Sequence, residues 1–178
     1  MNKITKFRSK NNLFFLSVIL FSSIFLSYEA IAQKVDFSGN WTLNESKGTV
    51  QQEQGRGFRA AQQLAIKQEG NVLSVDKTRI RQNNEPQTNS EKYTLEGIES
   101  INASQRGGTS KSIVKWSDDG KSLGFQTTRT ITRDDGQSTT MKSSEKWSLT
   151  DPKTLSISIT TTNREGIDRT MTYVYDKK

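Results

Sequence analysis

The chain has 178 residues and a formal net charge of +7, and it contains no cysteine and no histidine. Those absences exclude a disulfide framework, nucleophile and base pairs of the Ser-His-Asp or Cys-His kind, and the common zinc, haem and copper ligand sets. The composition is also uneven: 18 hydrophobic residues fall within the first 32 positions, and Ser and Thr together supply 35 of the 146 that follow, so only a thin core is available to the remainder.

The first predicted element is a leader. Lys3, Lys6, Arg8 and Lys10 precede an apolar run from Leu13 to Ser27, which ends in the small-residue pattern Ala30-Ile31-Ala32. A basic start, a short apolar stretch and such an ending define a secretory signal peptide, and about 15 apolar residues are fewer than the roughly 20 that cross a bilayer. Two units are therefore expected: residues 1-32 as the signal peptide, and residues 33-178 as one exported domain. A periplasmic or secreted location and the absence of an integral membrane segment from the mature protein follow as expectations.

Beyond the leader, turn signals recur every 10 to 15 residues: Glu69-Gly70-Asn71, Arg106-Gly107-Gly108, Asp118-Asp119-Gly120-Lys121, Asp134-Asp135-Gly136-Gln137, Asp151-Pro152-Lys153 and Arg164-Glu165-Gly166. The runs between them are rich in Thr, Ile, Val, Trp and Tyr, as strands of an antiparallel meander are. The expected strands are 39-43, 60-69, 72-81, 91-96, 98-104, 110-117, 122-133, 138-149, 154-162 and 168-175. The stretch 50-61 lacks alternation and reads as a loop.

Successive side chains of a strand point to opposite faces, so the last four strands can be sorted. Leu123, Phe125, Thr127, Arg129, Ile131, Met141, Ser143, Glu145, Trp147, Leu149, Leu155, Ile157, Ile159, Thr161, Arg169, Met171, Tyr173 and Tyr175 share one face, and the opposite face is nearly all Ser, Thr, Lys and Gln. A polar exterior excludes an outer-membrane barrel, whose outer face must be apolar. The turns predict registers that keep the inner face intact: Phe125 opposite Glu145, Arg129 opposite Met141, Trp147 opposite Ile157, Leu149 opposite Leu155, Ile157 opposite Tyr173, and Ile159 opposite Met171. The fold class is all-β, a single antiparallel up-and-down barrel of about 8-10 strands, which closure would rid of exposed sheet edges.

The segment Phe37-Ser38-Gly39-Asn40-Trp41-Thr42-Leu43 resembles the Gly-x-Trp opening strand of calycins, the lipocalin and fatty-acid-binding-protein barrels. The ending Tyr173-Val174-Tyr175-Asp176-Lys177-Lys178 resembles the last strand of the fatty-acid-binding branch. With the hairpin Lys115-Trp116-Ser117-Asp118-Asp119-Gly120-Lys121-Ser122-Leu123, the chain is similar to the small exported lipocalin-like proteins of Bacteroidetes. The resemblance implies a barrel that binds a small apolar or amphipathic molecule inside, with Trp41 packed at the closed end. One departure stands out: the fatty-acid-binding branch carries an Arg two residues before the terminal-strand Tyr, whereas Tyr173 occupies that place here, so a carboxylate clamp does not carry over.

The candidate ligand-binding residues are Phe125, Arg129, Glu145, Trp147, Arg169, Met171 and Tyr173. Arg129, Glu145 and Arg169 are charges placed on the inner face among Phe125, Trp147, Ile157 and Tyr173, and they need partners, ordered water or a wide lumen. They either sit at the mouth, pair internally, or orient an amphipathic ligand whose apolar body the other four would line. Lys77, Arg79 and Arg81 alternate along one strand and read as a solvated stripe or rim, with no aromatic platform to suggest a nucleic-acid partner. No catalytic residue, metal or cofactor is expected, and the protein is expected to be a monomer. The alternative function is a protein-interaction or inhibitor module of the envelope that uses loops such as Gln51 to Arg59.

Overall fold

The computed structural model describes residues 33-49, 60-80, 85-103, 108-132, 136-162 and 166-178. The chain divides between Ala32 and Gln33 into two units, and every described residue belongs to the second. Among them there is no helix, hence none long and apolar enough to cross a membrane. Ten strands form instead: β1 Gly39–Gly48, β2 Gln63–Glu69, β3 Val72–Ile80, β4 Pro86–Thr94, β5 Glu96–Ala103, β6 Thr109–Trp116, β7 Ser122–Thr132, β8 Ser138–Asp151, β9 Thr154–Thr162 and β10 Asp168–Lys177.

The sheet order is β4-β3-β2-β1-β10-β9-β8-β7-β6-β5, all antiparallel neighbours in sequence apart from the β1-β10 pairing that joins the chain's two halves. The sheet thus curls into a nearly closed up-and-down barrel. Its circumference is completed at β4 and β5 by side chains. Asn102 accepts from Lys92 N at 2.8 Å and donates to Lys92 O at 3.1 Å, while Ser100 Oγ accepts from Thr94 N at 2.9 Å. An amide side chain here copies the donor and acceptor of a peptide group.

All six registers expected for the last four strands are present. The exterior carries hydroxyl pairs across the strands, Thr160 with Thr170 at 2.7 Å and Ser158 with Thr172 at 2.9 Å. Among the boundaries that differ from expectation, two are displaced furthest. Strand β4 begins at Pro86 because Gln87, Asn89 and Glu91 take inward places that an apolar pattern cannot reveal, and the following turn is centred on Leu95. Strand β1 runs on to Gly48 through an irregularity after Leu43. Gly48 has φ +92°, and a Cβ there would lie 2.5 Å from the Thr172 carbonyl oxygen, so the close β1-β10 approach requires glycine.

The core fills one end of the barrel. Trp41, Leu64, Ile66, Leu73, Val75, Leu95, Val114, Leu123 and Leu155 are all buried there. The segment before β1 lies across this end as a floor. Phe37 is fully buried and stacks on Trp116 with centroids 6.0 Å apart, Trp41 Nε1 donates to Phe37 O at 3.0 Å, and Gln68 ties Phe37 N and Val35 O to β2. The related hairpins at Lys115 and Lys146 close the same end in the same way: Asp119 accepts from Lys121 N and Asp151 from Lys153 N, two residues on in each case.

Candidate functional site

Above the floor the inward positions change character. On β3 the run Leu73, Val75, Lys77, Arg79 keeps one face while passing from apolar to cationic, and on β4 Asn89 and Glu91 precede Tyr93 on that same face. Lys77 Nζ meets Glu91 Oε2 at 2.6 Å, with side-chain exposures of only 14% and 10%. Glu91 also accepts from Asn89 Nδ2 at 3.0 Å and from the Tyr93 hydroxyl. On the opposite wall, Glu145 Oε2 accepts from Trp147 Nε1 at 3.0 Å. Lys77 reaches across to this wall: its ammonium lies 5.9 Å from the Tyr93 ring centre and 6.0 Å from that of Trp147. Strands β3 and β8 stand five places apart in the sheet order, so the side chain traverses the interior.

Aromatic rings complete this crossing. Phe125 packs on Trp147 with centroids 4.7 Å apart and meets Tyr93 edge-on at 5.3 Å. Together these residues form a septum at mid-height, apolar beneath and charged above. Burial works against the Lys77 ammonium, but the surrounding charge of Tyr93, Glu145 and Glu91 outweighs it and holds its pKa above the ordinary lysine value. Burial likewise opposes the Glu91 carboxylate, and Lys77, the Tyr93 hydroxyl and Arg129 overcome it, leaving Glu91 below the ordinary range. The Tyr93 hydroxyl is pushed up, chiefly by burial.

The solvated-stripe reading of Lys77 and Arg79 is therefore corrected. Lys77 is an interior residue flanked by two aromatic rings, and Arg79 acts on Tyr173 and Tyr175 from within the barrel. Charge alone does not say which face a strand residue occupies; the continuation of Leu73 and Val75 was the available signal. Arg81 lies outside the described residues, as do Gln51 to Arg59.

The seven expected ligand residues divide by depth. Phe125 and Trp147, 2% and 1% exposed, belong to the core and septum. Tyr173 is buried beside Met171, whose sulfur accepts from its hydroxyl at 3.5 Å; burial pushes that hydroxyl's pKa up while Arg169 and Arg79 draw it down. Arg129, opposite Ser110 on β6 and Met141 on β8, lines a small space of about 10 Å³ with Thr127, Met141 and Ser143. Glu145 is half-buried, and Arg169 is exposed near the start of β10. The structure thus gathers Phe125, Glu145 and Trp147 at the septum and leaves Arg129, Arg169 and Met171 above it. Sequence reading missed Lys77, Arg79, Glu91 and Tyr93.

These features define the class: an all-β up-and-down barrel with an apolar floor, an ion-paired septum and a cation-bearing upper interior. No protein-family model matches the chain, and no curated protein matches it in sequence.

Proposed function

We propose that the protein is an exported, non-enzymatic, lipocalin-like binder that takes a small amphipathic molecule, by its anionic head, into the half of the barrel above the septum. The carrying observation is the charge distribution of that half. In this half Arg79 and Arg129 lie on the inward alternation of β3 and β7, Arg169 stands exposed near the start of β10, and Lys77 pairs with Glu91. Guanidinium groups near buried tyrosine and methionine suit a carboxylate, sulfate or phosphate carried on an apolar body. Ile131, Met141, Met171 and Tyr173 supply the apolar contacts in this reading, with Phe125 and Trp147 supporting from below. Its leader, if removed after Ala32, places the domain in the periplasm or outside the cell.

Displacement of the fluorescent fatty acid cis-parinaric acid by unlabelled fatty acids tests the reading. Arg129→Ala and Arg169→Ala are each expected to weaken binding about tenfold. Unchanged binding in both variants sinks the proposed site. Mass spectrometry of small molecules that co-purify with the exported protein identifies the natural occupant.

A second reading, the interaction module, draws on a different surface. Ile98, Ile101 and Ile113 are exposed on the outside of β5 and β6, and β5 ends the hydrogen-bonded sheet. If this is the working face, Ile101→Ser abolishes partner binding and leaves fatty-acid displacement untouched.

A further inference from the structure

The Lys77 ammonium stands where a bound cation would stand. The Glu91 carboxylate is in direct contact with it at 2.6 Å, two aromatic rings lie about 6 Å away, and Glu145 is hydrogen-bonded to one of them, Trp147, and acts on the ammonium through its charge. Each carboxylate is also fixed by a donor other than Lys77: Glu91 by Asn89 and Tyr93, Glu145 by Trp147. The walls of this cage therefore do not depend on Lys77 for their orientation. Carboxylates combined with aromatic faces are the chemistry that recognises alkylammonium ions. Because the lysine arises from β3, next to the β4 strand of Glu91 and Tyr93 and across the interior from the β8 strand of Glu145 and Trp147, its occupancy is that of a tethered guest.

We infer that Glu91, Glu145, Tyr93 and Trp147 form a primary-ammonium site whose occupant is the chain's own Lys77, and that this tethered occupant makes the barrel select anionic over cationic ligands. The selectivity rests on the proposed interior ligand; the ammonium site does not.

Lys77→Ala removes the atoms of n-propylammonium. The variant is expected to melt roughly 10 °C below the natural protein, since breaking a buried pair strands its partner. Added n-propylammonium chloride should raise its Tm saturably. Sodium chloride at equal ionic strength and n-propanol should not, the natural protein should not respond, and adding Glu91→Gln should abolish the rescue. Equal effects of the three solutes, or rescue that survives Glu91→Gln, overturn the site.

Lys77→Cys guards against a variant that will not fold. The chain has no other thiol, so the unfolded variant can be alkylated with 2-bromoethylamine, the thiolate displacing bromide to form a carbon–sulfur bond. This gives a lysine-length side chain with its ammonium restored; 2-bromoethanol gives a neutral counterpart. After refolding, the aminoethyl form should melt near the natural protein and the hydroxyethyl form well below it. Equal melting of the two overturns the ammonium site.

The selectivity is read by tryptophan fluorescence titration with octanoate and n-octylammonium. The natural protein should bind octanoate, and Lys77→Ala should gain at least tenfold for octylammonium. Rescue without octanoate binding in either protein overturns the interior-ligand reading and the selectivity while supporting the ammonium site. Octanoate binding without rescue overturns the ammonium site alone.

Discussion

The floor and the upper interior are built on the same strands, yet they solve opposite problems. Below the septum, Leu73, Leu123, Leu155 and Trp41 meet across the barrel and need no polar partner beyond the indole bond to Phe37 O. At the septum the inward positions hold Lys77 with Glu91 and Glu145, and above it Arg79 and Arg129, with Arg169 exposed near the start of β10. Apolar burial stabilises at about 25 cal/mol per Å² wherever packing is good, whereas an interior charge costs several kcal/mol unless paired or hydrated. The floor is thus the part that holds the fold, and the upper half is organised around charge.

The largest expected effect breaks the floor. Trp41→Ala removes a buried indole and should cost about 3–5 kcal/mol, measured by urea unfolding. If the cost is below ~1 kcal/mol, the floor is not the stability centre. Next is acid. Because the folded pKa of Glu91 lies below its unfolded value, the unfolded chain binds the extra proton, and the stability Glu91 contributes is present above the unfolded pKa and lost as pH falls through the folded one. The stability of the natural protein should therefore decline more steeply below about pH 5 than that of Glu91→Gln; parallel pH profiles would detach the septum from acid stability. Asn102→Ala removes the side chain bridging β4 and β5 and should cost ~1–2 kcal/mol, with no matching loss of fatty-acid binding. Smallest is the exterior: Thr160→Val at the hydroxyl pair with Thr170 should move stability by ~0.5 kcal/mol or less.

The half of the molecule that was easy to read is the half where the two faces differ in chemistry. Strands β7 to β10 alternate apolar residues with Ser and Thr, so their faces and hairpin registers could be assigned from sequence. Strand β4 could not, because Gln87, Asn89 and Glu91 are as polar as the outward Thr88 and Ser90. Its interior role depends on Lys77, a partner on the neighbouring strand that sequence reading had assigned to solvent. The aromatic residues posed the reverse difficulty. Alternation placed Phe125 and Trp147 inward correctly, but it carries no information on depth, and depth separates residues that pack the septum from residues able to meet a guest.

An even number of up-and-down strands brings both ends of the domain to one pole. Val35 N bonds to Gly120 O and Lys178 N to Asn40 O, so the chain enters and leaves beside the floor. A fusion partner, surface linker or lipid tether at either terminus would therefore hold the barrel by its sealed base and present the charged interior outward, away from whatever it is fixed to.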